Sequence, residues 1–329
     1  MVRVDGRLYV QLMHHVLVNR FRLASSAAFV ALAATAGADT WTFVVAGDGR
    51  TNDKTPDFSG INLPILNKMV TAIKAEHPRF MLFTGDLVHG VYGLVKAPVD
   101  EQLDRWKKAV APLYGVAIYP VRGNHETYGD KDGKIWMSKI KPIIDAGNVS
   151  YFKGEEGYSY SFATRDKSKT VVIAVDQFIH EHRVNLDELK QTLEKARKAR
   201  AKNIFVFAHE MAFTCTAHGD DENMSKFKED RDKFLDLLQR YSVRYFFAGH
   251  DHAYDWMEIR TPRWPSNYTL NQIVAGTAGA PFYTDKGYFG DHGAYELKRK
   301  EHKDSTYGYL LVTVDDKKGV TVTFKEIPQ

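Results

Sequence analysis

Residues 41–50 read WTFVVAGDGR, a short apolar run from Trp41 to Ala46 that ends abruptly in Gly47-Asp48-Gly49-Arg50. A run of that length, rich in aromatic and β-branched residues and stopped by a Gly-Asp turn signal, reads as a buried strand with a polar side chain at its carboxyl end. The same grammar returns at Phe80–Thr84 before Gly85-Asp86-Leu87-Val88-His89, and at Val116–Val121 before Gly123-Asn124-His125-Glu126. Asp48, Asp86 and Asn124 are spaced 38 residues apart, room for a strand, a helix and a return strand. The intervals supply the helices: Ile61–Glu76 is amphipathic with a break signal at Pro78, and Gln102–Leu113 is the next helical pattern. Strand–helix–strand alternation implies right-handed parallel crossovers and an α/β fold. In such a sheet all three polar residues lie at the carboxyl edge, where α/β folds hold ligands. Each follows closely on a glycine, which lets the backbone turn sharply or approach a ligand.

Further along, Asn203–Ala208 and Arg244–Ala248 are two more strands, ending in Ala208-His209-Glu210 and Gly249-His250-Asp251-His252. Tyr158–Ala163 and Thr170–Val175 look like a hairpin-like pair. Asn185 with Glu188 forms a capping-box pattern for a helix over Leu186–Arg200, and Asp232–Tyr241 is helical. Gly308–Val314 and Val320–Phe324 read as a closing antiparallel pair. Residues 127–150 are polar and without period, and are expected to be a surface insertion. No linker marks a boundary, so residues 39–329 are expected to form a single domain.

The residue types at the strand ends point to metal chemistry. A carboxylate can bridge two cations, while imidazoles and an amide oxygen complete their shells. Two ions about 3.5–4 Å apart can bind phosphate oxygens, acidify water and stabilise an in-line displacement. Taken singly, a Gly-Asp is a turn and a lone buried histidine is a hydrogen-bonded core group. Five such patterns in order, each at a strand end, are hard to reach by chance.

At these residues the chain resembles the calcineurin-like metallophosphoesterase superfamily, and more closely its purple-acid-phosphatase-like branch. The motifs run from Asp48 to His252, and Val274–Ala280 and Gly308-Tyr309-Leu310 also look like that branch. The resemblance implies a four-layer α/β/β/α sandwich with two central mixed sheets. It implies two divalent or mixed-valence metal ions (Fe, Mn or Zn), one on Asp48, Asp86 and His252, the other on Asp86, Asn124, His209 and His250. Hydroxide held by the metals would attack phosphorus, with His125 assisting departure of the alcohol. Two positions depart from the pattern. The superfamily's Asp-x-His becomes Asp48-x-Arg50, and the branch's tyrosinate three residues after the bridging Asp becomes His89. His89 is therefore expected as the missing ligand of the first ion, with Tyr92 or water as the other candidates. Arg50 either contacts the substrate phosphate or steadies its loop by an ion pair.

The remaining polar groups divide less cleanly. Glu126 and Glu210 read either as acceptors orienting the histidines or as surface ion pairs. His180, His182, His218, His292 and His302 sit in polar stretches and are expected to be solvated. Asp220 and Asp221 are candidates to face the cleft, and Tyr283, Tyr288, Phe289 and Tyr295 are expected to cover a sheet end more than to wall a cleft.

Composition narrows the setting. The formal charge of +4 is mostly local, because residues 1–38 hold Arg3, Arg7, Arg20 and Arg22 against Asp5. The rest is near neutral, so charge indicates no nucleic-acid partner. Arg20 and Arg22 precede the apolar run Leu23–Ala38, which ends in Ala36-Gly37-Ala38. That is the form of a signal peptide cleaved after Ala38, with Met13 an alternative start. A membrane anchor or a plain extension are the competing readings, but the run is short for a span, so no stable membrane span is expected after cleavage. Cys215 is the only cysteine, which excludes an intramolecular disulfide and a cysteine metal cluster. The combined reading is a periplasmic or secreted phosphoester hydrolase acting on a small phosphoester. A nucleotide phosphodiesterase or nuclease is the rival within its class. A non-catalytic phosphate binder, its first metal site decayed at Arg50, is the rival outside it, and the presence of His125 argues against that rival.

Overall fold

A computed structural model describes residues 40–51, 59–167, 169–288 and 290–328. The expected leader, residues 1–38, and Phe289 lie outside them. The first half of the chain builds β1 (Thr40–Ala46), α1 (Leu63–Ala75), β2 (Phe80–Phe83), α2 (Val99–Val110) and β3 (Ala117–Pro120). β1, β2 and β3 pair in parallel, as the spacing of the three motifs requires. α1 starts where Asn62 Oδ1 accepts from the Ile65 amide, with a proline in its first turn, and it buries Ile65, Leu66, Met69, Val70 and Ile73 along one face. α2 begins three residues before its apolar pattern does. Asp100 and Glu101 in its first turn and Lys107 and Lys108 in its last complement the helix dipole.

Residues 127–150 are no surface insertion. After the short α3 (Asn124–Thr127), the segment forms α4 (Lys134–Lys139) and α5 (Lys141–Asp145), and Trp136, Ile140 and Ile144 join the core. Asp130 makes this possible: its carboxylate accepts from the amides of Ile135 (2.9 Å) and Trp136 (2.7 Å), holding the helix start. Trp136 Nε1 donates to the Gly157 carbonyl at 2.9 Å, so the buried indole is satisfied.

The second half runs β4 (Ser150–Tyr151), β5 (Tyr160–Ala163), β6 (Val171–Ala174), α6 (Leu186–Lys198), β7 (Ile204–Phe207), α7 (Lys228–Arg240), β8 (Tyr245–Ala248), β9 (Tyr254–Arg260), β10 (Leu270–Ala275) and β11 (Glu296–Lys303). Of the capping box expected at α6, one half is formed, Asn185 Oδ1 accepting from the Glu188 amide at 3.2 Å, while the Glu188 carboxylate accepts from the Lys153 amide. The chain closes with the expected antiparallel pair, β12 (Tyr307–Asp315) and β13 (Gly319–Ile327), but that pair returns to lie beside β1. The result is two mixed sheets, ordered β13-β12-β1-β2-β3 and β11-β9-β10-β8-β7-β6-β5-β4.

The sheets face each other through aromatic side chains. Phe43 of β1 meets Phe205 of β7 and Phe247 of β8 at centroid distances of 5.1 and 6.2 Å, and Phe80 of β2 meets Phe162 of β5 at 5.2 Å. The alternating neighbours point outward to the helices: Phe83 packs on Trp106 of α2, and Phe246 on Phe234 of α7. Strands buried on both faces read as continuous apolar runs, and the order of layers is helix, sheet, sheet, helix.

Candidate metal centre

The carboxyl ends of five parallel strands converge on one point. Asp48 follows β1, Asp86 follows β2, Asn124 and His125 follow β3, His209 follows β7, and His250 and His252 follow β8. Asp48, Asp86 and His250 hold left-handed backbone conformations, with φ of 62°, 50° and 70°. Non-glycine residues adopt that region rarely and at some cost, and they cluster at functional sites. The sharp reversal turns each side chain back over the strand ends. It works only because the neighbouring backbone is bare: a Cβ on Gly123 would strike the Asp86 carboxylate and amide, and one on Gly249 would strike Asp48.

Hydrogen bonds fix which atoms of the histidines face the centre. His209 Nδ1 donates to the Thr84 carbonyl (2.7 Å), His250 Nε2 to the Glu222 carbonyl (2.9 Å) and His252 Nδ1 to the Pro281 carbonyl (2.7 Å). A carbonyl only accepts, so the nitrogen bonded to it carries a hydrogen and the other nitrogen of each ring is the one turned inward. Burial holds His250 and His252 well below the usual imidazole range, which keeps them neutral. His209 Nε2 then stands 3.0 Å from Asn124 Oδ1, 3.1 Å from His250 Nδ1 and 3.5 Å from Asp86 Oδ1. The Asn124 amide is oriented by its own Nδ2, which donates to Tyr128 OH at 3.2 Å. Lone pairs packed this closely repel unless a cation sits among them. Two imidazoles, an amide oxygen and a carboxylate are a donor set suited to Zn, Mn or Fe, so these residues fit a metal ion.

Asp86, Asp48 and His252 form a second group, with one ligand atom from each within 4.8 Å of the others. Burial raises Asp48 well above the ordinary carboxylate range, and the charge on Asp86 pushes it further. Burial also acts on Asp86, but His209, His125 and Arg50 outweigh it and hold that carboxyl below its usual value. Arg50 lies against this group, its Nε 3.6 Å from Asp86 Oδ2 and its Nη2 3.4 Å from His252 Nε2. Nη2 also donates to Tyr283 OH (3.3 Å) and Nη1 to the Thr51 carbonyl (3.2 Å). His89 is not a member of the group. It lines the cavity with its ring 5.1 Å from that of His125.

His125 donates from Nδ1 to the His89 carbonyl (2.6 Å), leaving Nε2 3.9 Å from Asp86 Oδ2. Burial, with a smaller push from Arg50, lowers its pKa to about 3, so the ring is neutral. Glu126 and Glu210 are buried, not surface ion pairs. Glu126 accepts from the amides of Gly123, Asp86 and Val88, tying the second and third motifs together. Burial, then the charge on Asp86, pushes its pKa up to about 8.

Two histidines expected in solvent belong to this region. His182 Nδ1 meets Glu210 Oε1 at 2.6 Å, and His218 Nδ1 meets Asp251 Oδ1 at 3.0 Å while its ring stacks on His250 at 3.6 Å. Asp251 is buried, yet bonds from His218, Thr214 and Cys215 hold it well below the carboxylate range. Sequence could not reveal these pairs, because each partner is contributed by a distant loop. His302, also expected in solvent, is tied to Asp255 at 2.9 Å away from the centre. His180 keeps a side chain 38% exposed and contacts Glu155.

A cavity of about 500 Å³ opens over these donor groups. Arg50, His89, His125, His182, His218 and Tyr283 line it, with the stacked pair Tyr92 and Tyr128 on one wall. Asp221 faces it as the sequence allowed, whereas Asp220 turns to the amide of Asp291. Tyr283 walls the cleft by stacking on His252 at 4.0 Å; Tyr295 covers the sheet end against Trp264.

The calcineurin-like phosphoesterase family profile matches residues 57–254. No curated protein matches the chain. Among solved structures, the chain is similar to the purple acid phosphatase PPD1 of yellow lupin (Lupinus luteus) seeds, with a TM-score of 0.63 and 13% identity over 88% of this chain and 52% of that one. It thus spans about half the length of the lupin protein. It is also similar to GAP50, described as the anchor in the inner membrane complex of Plasmodium, with a TM-score of 0.56 and 16% identity over 88% and 85% of the two chains. A dimetal phosphatase from Danio rerio aligns at a TM-score of 0.49 and 14% identity, over 88% of this chain and 99% of that one. At these identities the likeness is one of fold.

Proposed function

The chain belongs to the calcineurin-like phosphoesterase family, and from that premise we propose that it hydrolyses small phosphoesters at the cavity above Asp86. The observation that carries this reading is the convergence of His209, His250, Asn124 and Asp86 donor atoms within 3.5 Å of His209 Nε2. Those four would hold one ion. Asp48, Asp86 and His252, with His89 on the cavity wall, are the donors a second ion would need, and Arg50 lies against two of them. Metal bound there would supply Lewis-acid polarisation of phosphoryl oxygens and acidify water.

The chain's own residues do the rest. Asp86 is common to both donor sets and fixes their separation. Arg50, at the cavity floor, offers guanidinium nitrogens to phosphate oxygens. His125 turns Nδ1 to the His89 carbonyl, so Nε2 is the atom facing the cavity and available to assist departure of the alcohol. Tyr92, Tyr128 and Tyr283 give apolar surface for that alcohol. Turnover of a phosphate monoester and a matched diester by metal-replete protein tests the reading and ranks the two substrate classes. Absence of turnover on both, with metal bound, would leave a binding protein. Export is part of the proposal, supported by the basic flank and the Ala36-Gly37-Ala38 end. N-terminal sequencing of protein from its native host should start at Asp39, and an intact Met1 or Met13 terminus in the cytoplasmic fraction would refute it.

A further inference from the structure

The two donor sets differ in what stands among them. The first, around His209 Nε2, holds four donors and, among the described residues, no competing cation. The second holds three, and the Arg50 guanidinium already spans two of them. Nη2 lies 3.4 Å from His252 Nε2, the lone pair left when Nδ1 donates to Pro281, and Nε lies 3.6 Å from Asp86 Oδ2. Bridging a carboxylate oxygen and an imidazole nitrogen is what an ion in that position would do. The guanidinium is held there by Tyr283 OH and the Thr51 carbonyl, in a side chain 8% exposed. A divalent ion binds such donors at roughly 2.0–2.2 Å, so one seated on Asp86 and His252 would lie against a fixed positive charge. At so short a distance, in a buried site, that repulsion is large. Either the ion or the guanidinium has the position.

We propose that the centre takes a single divalent ion, at Asp86, Asn124, His209 and His250, and that Arg50 stands in the place of a second. This rests on the preceding reading that the convergent residues bind metal, and it assigns how many ions they bind. The positive charge that a second ion would bring to Asp48 and Asp86 is supplied by the side chain itself. The Asp48–Asp86–His252 set becomes a cation site only when Arg50 is withdrawn.

Metal content decides it without reference to turnover. Wild-type protein, stripped and dialysed against Mn²⁺, should retain one equivalent, and Arg50→Ala should retain two. The paired Mn²⁺ ions should show a spin-coupled resonance signal absent from wild type. Arg50→Lys retains charge in the same place and should stay at one. Asp48→Asn in the wild-type background should also stay at one, which keeps the test decisive should Arg50→Ala fail to fold. Two equivalents in wild type, one in folded Arg50→Ala, or loss of an equivalent in Asp48→Asn would each overturn the proposal. No metal in wild type or in any variant would overturn the metal-dependent reading beneath it as well.

Discussion

His125 shows how much a single side chain can be assigned from its surroundings. Its Nδ1 proton is committed to the His89 carbonyl, its ring is buried and neutral, and Nε2 faces the cavity 3.9 Å from Asp86. It belongs to neither donor set, so His125→Ala should leave metal content unchanged while kcat falls by about 10²–10⁴, the usual span for proton transfer. The decisive measurement is kcat on an ester with a poor leaving group, where proton delivery matters most; an unchanged value removes His125 from the reaction. Asp86 is the opposite case. Its Oδ1 faces His209 and accepts from the His125 amide at 3.1 Å, and its Oδ2 faces Arg50 and His125. Asp86→Ala should therefore lose both bound metal and turnover, read by metal analysis and kinetics on the same preparation. Retention of both would show that the other donors suffice without it.

At the scale of elements, the third motif is held in place by a buried ion pair that joins the two sheets. Arg122, one residue before Gly123, meets Asp176 after β6 in a bidentate contact of 2.8 and 2.9 Å and lies over the Tyr158 ring. Removing one partner of such a pair strands a buried charge, at roughly 3–5 kcal/mol. Asp176→Ala should lower the denaturant midpoint accordingly and raise KM, because Asn124 and His125 lose their support; a variant of wild-type stability and KM would show the pair to be dispensable. Nothing in the sequence joined Arg122 to Asp176. What was legible were the strand ends, since an apolar run, a glycine and a polar side chain are contiguous, and the side chains those patterns name meet at one place. The helices between them were legible from periodicity alone. α4 and α5 were not, because 6 and 5 residues are too few to show a period, and what orders them is the Asp130 carboxylate. β11 was missed for a different reason. Its sequence, ELKRKEHK, carries the charges that protect an edge strand from pairing with other chains, and those same charges hide it from a search for apolar runs. The pairs of His182 with Glu210 and His218 with Asp251 exist only once distant loops have met.

For the whole molecule, the centre is a seam. Asp48, Asp86 and Asn124 come from the edge of one sheet, and His209, His250 and His252 from the edge of the other. Away from it, the sheets are held by nondirectional aromatic packing, Phe43 and Phe80 against Phe205, Phe247 and Phe162. At the seam itself, the crowded donor atoms of Asn124, His209 and His250 oppose assembly until a cation joins them. An ion at Asp86, Asn124, His209 and His250 would take donors from both sheets, so it would bind the assembled fold and not its parts. Ligation of that kind stabilises by about 2.7 kcal/mol when free metal is 100 times its Kd. For a domain near this size each kcal/mol moves the midpoint by roughly 2–4 °C, so a chelator should lower Tm by about 5–10 °C and added Mn²⁺ or Zn²⁺ should restore it. The Asn124→Ala and His209→Ala variants should each lose most of that metal-dependent increment, one from each sheet. A Tm indifferent to chelator in metal-loaded protein would mean that the ion does not join the two sheets, and the assignment of its ligands across the seam would fall with it.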